Sequence, residues 1–216
     1  MPESFTGSFT QQEPLPEAAI EAAVAVMRTG RLHRYNLAPG EEGAVSALER
    51  VFAGMTGARY CLAVASGGYA LGCALRACGV GPGDQVLTNA FTLAPVPGAI
   101  AALGAVPVFV GVTEDLVIDL DHLSEAVAET GAKILMLSHM RGHVADMDAV
   151  MAICDAAGVR VIEDCAHTMG AAWNGTPSGR HGLAGCYSTK TYKHMNSGEG
   201  GFLVSDDPDF MARGVL

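Results

Sequence analysis

Three short stretches of this chain hold residue types that can do chemistry, and each stands where an apolar run stops. The first is Ser66-Gly67-Gly68-Tyr69-Ala70, which follows the run Tyr60–Val64. Small residues between a strand and a helix leave backbone N–H groups unpaired at the helix start. Glycine also lets an anion come close, so this turn is a candidate phosphate cradle. The same residues serve equally well as a tight turn with no ligand. The second stretch is Val161-Ile162-Glu163-Asp164-Cys165-Ala166-His167. A carboxylate just past a buried strand is placed to hold a proton on a basic nitrogen of a ligand through a charge-assisted hydrogen bond. Asp164 can instead cap the turn that follows it, and a lone His167 is more often structural than catalytic.

The third stretch runs from Gly185-Cys186-Tyr187-Ser188 through Lys190-Thr191-Tyr192-Lys193 to Gly198-Glu199-Gly200-Gly201. A loop lysine is usually solvated. It becomes a nucleophile when its pKa is lowered or when it is already condensed with a carbonyl cofactor. Ser188 in the same stretch offers a hydroxyl to a phosphate, and the glycines permit the backbone turn that follows.

The elements that must position these residues follow from hydrophobic periodicity. Residues 1–15 are polar and contain proline, as an N-terminal arm would. Ile20, Ala23, Val24 and Met27 recur at helical spacing after Pro16, and Gly30 is placed to end that helix. Val45, Leu48, Val51, Phe52 and Met55 form one stripe of a second helix, expected from about Glu41 to Met55. From Tyr60 onward, apolar runs alternate with helical patterns. Strands are expected at 60–64, 85–88, 106–110, 133–137, 159–162, 185–188 and 201–204. Helices are expected after Gly68, around Ile100–Leu103, at Leu123–Ala128, at Met147–Ala156 and near Met211. This alternation predicts an α/β fold, a mostly parallel sheet with helices on both faces, whose ligands bind beyond the carboxyl ends of the strands.

Composition narrows the function classes. In 216 residues, half are apolar, 17% are charged and the formal net charge is −10. That balance suits a packed enzyme domain, and an acidic surface without a Lys/Arg run argues against nucleic acid as a partner. None of the six cysteines falls in a C-x-x-C pair, so a zinc or redox motif is not expected, and no metal is assigned. They read as small buried hydrophobes of a reducing compartment. Neither a signal peptide nor a membrane span is recognisable, so a soluble cytoplasmic protein is expected. Gly79-Val80-Gly81-Pro82-Gly83 follows a helix and precedes a strand, the wrong order for a dinucleotide fingerprint, and Pro82 removes a donor.

Taken together and in this order, the motifs resemble the DegT/DnrJ family of sugar aminotransferases, enzymes of the fold-type I architecture. That family typically shows S-G-T-A-A at its phosphate turn, E-D-x-A-[QH] at its pyridinium site, and C-F-S-F followed by lysine and G-E-G-G. The counterparts here are Ser66–Ala70, Glu163–His167, Cys186–Thr189, Lys193 and Gly198–Gly201. Gly81-Pro82-Gly83-Asp84 and His139-Met140-Arg141-Gly142-His143 before Ala145-Asp146-Met147 match as well. The similarity runs from about Pro14 to the end.

The resemblance implies pyridoxal 5'-phosphate as cofactor. Lys193 would carry it as a Schiff base and move the proton between substrate and cofactor carbons. Asp164 would pair with the pyridine nitrogen, and His167 would lie near the ring and its phenolic oxygen. Ser188 and the backbone of Gly68 and Tyr69 would bind the phosphate. The implied reaction moves an amino group from glutamate or glutamine to a keto-sugar, a nucleotide sugar or an aminocyclitol ketone, in a homodimer. On this reading, residues 1–35 are an arm and helix, and 36–216 are the cofactor-binding large domain of a fold-type I enzyme without its C-terminal small domain.

The chain also departs from the family. In Ala90-Phe91-Thr92-Leu93, Leu93 falls where an aromatic usually stacks on the cofactor ring. Arg141 stands where an uncharged residue is common, and Lys190-Thr191-Tyr192 replaces the common His-Pro before the lysine. An aminocyclitol or other small polyol ketone is therefore a candidate substrate. Alternatives are a non-catalytic binding or regulatory member, an inactive fragment, and a PLP-dependent sugar dehydratase, which Lys193 argues against because those enzymes carry His there.

Overall fold

The computed structural model describes residues 7, 8, 14–35 and 37–216. The arm expected over 1–15 therefore lies mostly outside the described residues. The chain divides into two compact units, Met1–Ala47 and Leu48–Leu216. In the first, helix α1 spans Glu17–Thr29, and Gly30 ends it at φ 66°, its N–H donating to the Met27 carbonyl. Helix α2, Ala44–Thr56, starts three residues after the expected Glu41. The Glu41 carboxylate is engaged elsewhere, accepting from the Ala38 N–H at 3.0 Å and from the Arg31 guanidinium at 2.8 and 2.9 Å.

The second unit begins within α2 and is an α/β sandwich. Its elements in chain order are β1 (Tyr60–Val64), α3 (Gly67–Ala77), β2 (Gln85–Asn89), α4 (Pro95–Ala101) and β3 (Val106–Val110). Then come α5 (Leu120–Thr130), β4 (Ile134–Ser138), α6 (Met147–Ala157) and β5 (Arg160–Asp164). A short hairpin, β6 (Ala172–Trp173) with β7 (Thr176–Pro177), precedes β8 (Ala184–Ser188), β9 (Gly201–Ser205) and α7 (Pro208–Val215). The seven long strands form one sheet in the order β1-β9-β8-β5-β4-β2-β3. β9 pairs antiparallel with both β1 and β8, and the remaining pairs are parallel, so β9 alone runs against the others.

Alternation along the strands supplies both faces with core. Val86, Met136, Ile162, Cys186 and Leu203 point to one side, where Ala70, Leu71 and Ala74 of α3, Ile100 of α4 and Phe210 of α7 pack on them. Leu87, Leu135, Leu137 and Val161 point to the other, under Leu123 and Ala126 of α5 and Met147 and Val150 of α6. Beside them, Phe52 of α2 stacks on Phe202 at 3.9 Å and meets Tyr187 edge-on at 5.1 Å. The expected strands and helices are all present, with ends shifted by a few residues. Helix α4 lies earlier than the expected Ile100–Leu103, because Pro95 suits a first-turn position. The β6–β7 hairpin carries no periodic signal and was not expected.

The carboxyl ends of six strands share one edge of this sheet, and β9 begins there. Asn89 ties two of those ends together: its amide accepts from Ser138 N–H at 2.8 Å and donates to the Ser138 carbonyl at 3.0 Å.

Candidate functional site

A cleft of about 600 Å³ opens at that edge, within the range of ligand-binding cavities. Ser66, Gly67 and Gly68 line it from the β1–α3 turn, Asp164, Ala166 and His167 from the end of β5, and Ser188 from the end of β8. Lys190, Tyr192, Lys193 and Glu199 reach it from the β8–β9 loop, and Leu93 and Arg141 complete the walls.

The phosphate-turn candidate is built by close backbone approach. Ser66 is the N-cap of α3, its hydroxyl accepting from the Tyr69 N–H. A Cβ on Gly67 would stand 2.7 Å from the Ser188 Cβ, and one on Gly201 would stand 2.6 Å from the Gly67 nitrogen. Glycine at both positions therefore lets the start of α3 sit against the ends of β8 and β9, which sets the Ser188 hydroxyl beside the turn. Tyr69 is the one sequence-predicted residue that does not line the cleft. It is 54% exposed, its ring lies under the Arg76 guanidinium at 5.5 Å, and its N–H is already engaged by Ser66.

Asp164 is the last residue of β5, half-buried. One carboxylate oxygen accepts from the Ala166 N–H at 3.2 Å and the other from the Ser138 hydroxyl at 3.1 Å. The carboxylate thus caps the following turn and still faces the cleft.

Lys193 and His167 meet directly. Lys193 Nζ lies 2.8 Å from His167 Nε2, and His167 Nδ1 accepts from the Arg141 backbone N–H at 3.2 Å. Burial lowers the Lys193 pKa, the neighbouring Asp164 charge opposes that shift, and Arg141 and Lys190 reinforce it. Burial likewise lowers the His167 pKa, helped by the Lys193, Arg141 and His194 charges and opposed by Asp164. Both groups are driven toward their neutral forms. The loop that carries Lys193 is laced by Thr189 N–H to Gly200, Thr191 N–H to Gly198 and Ser197 N–H to Thr189. A Lys193 N–H to Lys190 bond closes its tip.

One layer behind the cleft is an arrangement that sequence reasoning missed. Glu163 is completely buried and accepts from His139 Nε2 at 3.0 Å and from the N–H groups of Gly179, His181 and Gly182 at 2.8, 2.8 and 2.9 Å. Burial pushes its carboxyl up, but His139 and these N–H groups outweigh that and hold it below the ordinary value. Cys165 is near enough to join His139 and Glu163 as a metal-ligand set. The Glu163 oxygens are already committed, however, and burial and the Glu163 and Asp164 charges hold the Cys165 thiol protonated. The available signal was a glutamate directly after the apolar pair Val161-Ile162, on the opposite face of the strand from Asp164.

Residues 17–214 match the sequence model of the DegT/DnrJ/EryC1/StrS aminotransferase family. The chain is 36% identical over 202 residues to an L-glutamine:2-deoxy-scyllo-inosose aminotransferase of Streptomyces lividus, covering 92% of this chain and 47% of that protein. Its fold superposes on 3-amino-5-hydroxybenzoic acid synthase with a TM-score of 0.87 at 34% identity, over 97% of this chain and 54% of that one. A proposed sugar aminotransferase of Streptococcus pneumoniae, solved in its PLP form, gives a TM-score of 0.82 at 25% identity, over 91% and 52%. The chain thus spans about half the length of the relatives it matches.

Proposed function

We propose that this chain, which belongs to the DegT/DnrJ/EryC1/StrS aminotransferase family, is the pyridoxal-phosphate-binding part of an enzyme that moves an amino group from glutamine or glutamate to a cyclitol or sugar ketone. The observation that carries this reading is the convergence of Lys193, His167, Asp164 and Ser188 on one cleft at the carboxyl edge of the sheet. The cyclitol is favoured by the Streptomyces lividus relative, whose name states that substrate.

The residues present fit the cofactor. The absence of a side chain at Gly67 lets the start of α3 close against Ser188, which brings a hydroxyl to the turn, and Asp164 supplies a carboxylate. Bound there, pyridoxal phosphate supplies an electron sink for breaking the bond between the amino-bearing carbon and its hydrogen. Asp164, as a carboxylate, would hold a proton on the ring nitrogen. Ser188 with the backbone of Gly68 and Tyr69 would hold the phosphate, the Tyr69 N–H being released from Ser66 to do so. His167 would stand beside the ring and its phenolic oxygen, and Leu93 would offer an aliphatic contact. Lys193 would attach the cofactor and, once displaced by the amino donor, take and return a proton at Nζ.

Residues 36–216 would then form the cofactor domain, working with a second copy of the chain. All six cysteines are free, which supports a reducing compartment, the cytoplasm. Among the described residues no helix is long and apolar enough to cross a membrane.

The test is to mix the chain with pyridoxal phosphate, reduce with borohydride and map the label by peptide mass spectrometry. Label concentrated on Lys193 and lost in Lys193→Ala is expected. Label spread over exposed lysines, or none, overturns the reading.

A further inference from the structure

The hydrogen bonds around His167 locate a proton. Arg141 N–H points at His167 Nδ1, so that nitrogen presents a lone pair. A neutral imidazole whose Nδ1 accepts carries its hydrogen on Nε2, the atom 2.8 Å from Lys193 Nζ. A protonated lysine has only donors, and two donors cannot share that contact. We infer that His167, held as the Nε2–H tautomer by the Arg141 backbone, donates to Lys193 and keeps it a neutral amine with its lone pair in a fixed direction.

The fold is arranged to present that N–H. Arg141 adopts φ 58°, the left-handed region that a residue with a side chain takes at a cost, and Gly142 follows at φ 88°. The residues before it are anchored from behind. His139 N–H donates to the Asp164 carbonyl at 3.1 Å, and the His139 ring donates to buried Glu163. A buried hydrogen-bonded layer thus sets a backbone N–H, which sets a tautomer, which acts with burial to favour the neutral lysine.

The other charged groups around the pair act in both directions. Arg141 and Lys190 favour the neutral amine, and His194 favours a neutral His167. Asp164 from the end of β5 opposes both, and Glu199 faces Lys190 at 4.0 Å. His167 is therefore a positioning residue for Lys193. This consequence rests on the reading of Lys193 as the cofactor lysine, whereas the proton placement does not.

Trace labelling of the cofactor-free full chain with acetic anhydride across pH tests it, with Lys193 and Lys190 read separately by fragment-ion mass spectrometry. Lys193 is expected to reach half its plateau rate at a lower pH than Lys190 and to label several-fold faster at neutral pH. His167→Gln keeps a donor toward Lys193 and should preserve that advantage. His167→Glu offers only an acceptor, stabilises the ammonium and should move the Lys193 midpoint up. Two-bond nitrogen–proton correlation on the unaltered chain should show the imidazole hydrogen on Nε2, and that measurement decides alone if a variant fails to fold. Lys193 titrating with Lys190, a Glu variant indistinguishable from wild type, or the hydrogen on Nδ1 would each overturn the inference. Failure of borohydride labelling with a normal acylation profile would count against the cofactor reading instead.

Discussion

Glu163 and His139 face each other at 3.0 Å with both side chains shut off from solvent, directly behind Asp164 and the loop that carries Arg141. Glu163→Gln would replace an acceptor of four hydrogen bonds by a group whose amide faces other donors. The expected loss is on the order of 3 kcal/mol in denaturant unfolding, since buried donors are left unpaired. The pH dependence carries a sign. The folded pKa of Glu163 lies below its ordinary 4.5, so its contribution is present above that pH and disappears as pH falls through the lower folded value. Wild type should therefore lose stability on acidification more steeply than Glu163→Gln.

Gly67 and Gly68 are neighbours with opposite tolerances. An alanine at Gly67 meets the Ser188 Cβ at 2.7 Å and backbone atoms at 3.2 Å, whereas at Gly68 the nearest contact is 3.9 Å. Gly67→Ala should cost about 2 kcal/mol of stability and weaken pyridoxal phosphate binding, because the start of α3 must part from β8. Gly68→Ala, at a helical position, should be neutral or raise stability by up to about 1 kcal/mol. Unfolding curves and cofactor titration separate the two.

Asp164→Asn should separate lysine reactivity from catalysis. The Asp164 charge favours protonated Lys193, so removing it should lower the midpoint of Lys193 acylation and speed labelling at neutral pH. If the chain works as proposed, conversion of glutamine with bound cofactor should fall, because the group proposed to hold a proton on the ring nitrogen is then lost. Parallel loss of both readouts would show that Asp164 acts only as a cap for the turn at Ala166.

Arg141→Gly keeps the backbone N–H, relieves the left-handed strain and removes a positive charge. The His167 tautomer should persist in nitrogen–proton spectra. The Lys193 midpoint should rise, since the Arg141 charge disfavours the ammonium. Loss of the tautomer would mean that the side chain, not the backbone, sets it.

Leu93 borders the cleft and is 43% exposed. Leu93→Tyr should slow pyridoxal phosphate dissociation, with a gain of about 0.5–1.5 kcal/mol if the new ring stacks on the cofactor. Stopped-flow release measured for both proteins checks it.

Much of this molecule follows from the sequence by itself, because the governing interactions are local. Runs such as Ile134–Leu137 and Val161–Ile162 are apolar at every position, as strand segments buried on both faces must be. Gly30, Gly131 and Gly158 end helices in the left-handed conformation that glycine takes most easily. The order of Ser66-Gly67-Gly68, Asp164, Ser188 and Lys193 along the chain was enough to suggest the chemistry.

Tertiary structure decided what depends on distant partners. Nothing in Gly201–Ser205 announces that β9 inserts between β1 and β8 and runs against them, since strand order is set by packing over the whole sheet. Tyr69 belongs to the candidate phosphate turn yet turns its ring outward, because the helix geometry at α3 directs it toward Arg76. The charge of Lys193 is the clearest case. A lysine is a cation by composition, and only the fold half-buries it, sets the Arg141 and Lys190 charges near it and brings to its Nζ a histidine 26 residues away, whose ring is met by a backbone N–H.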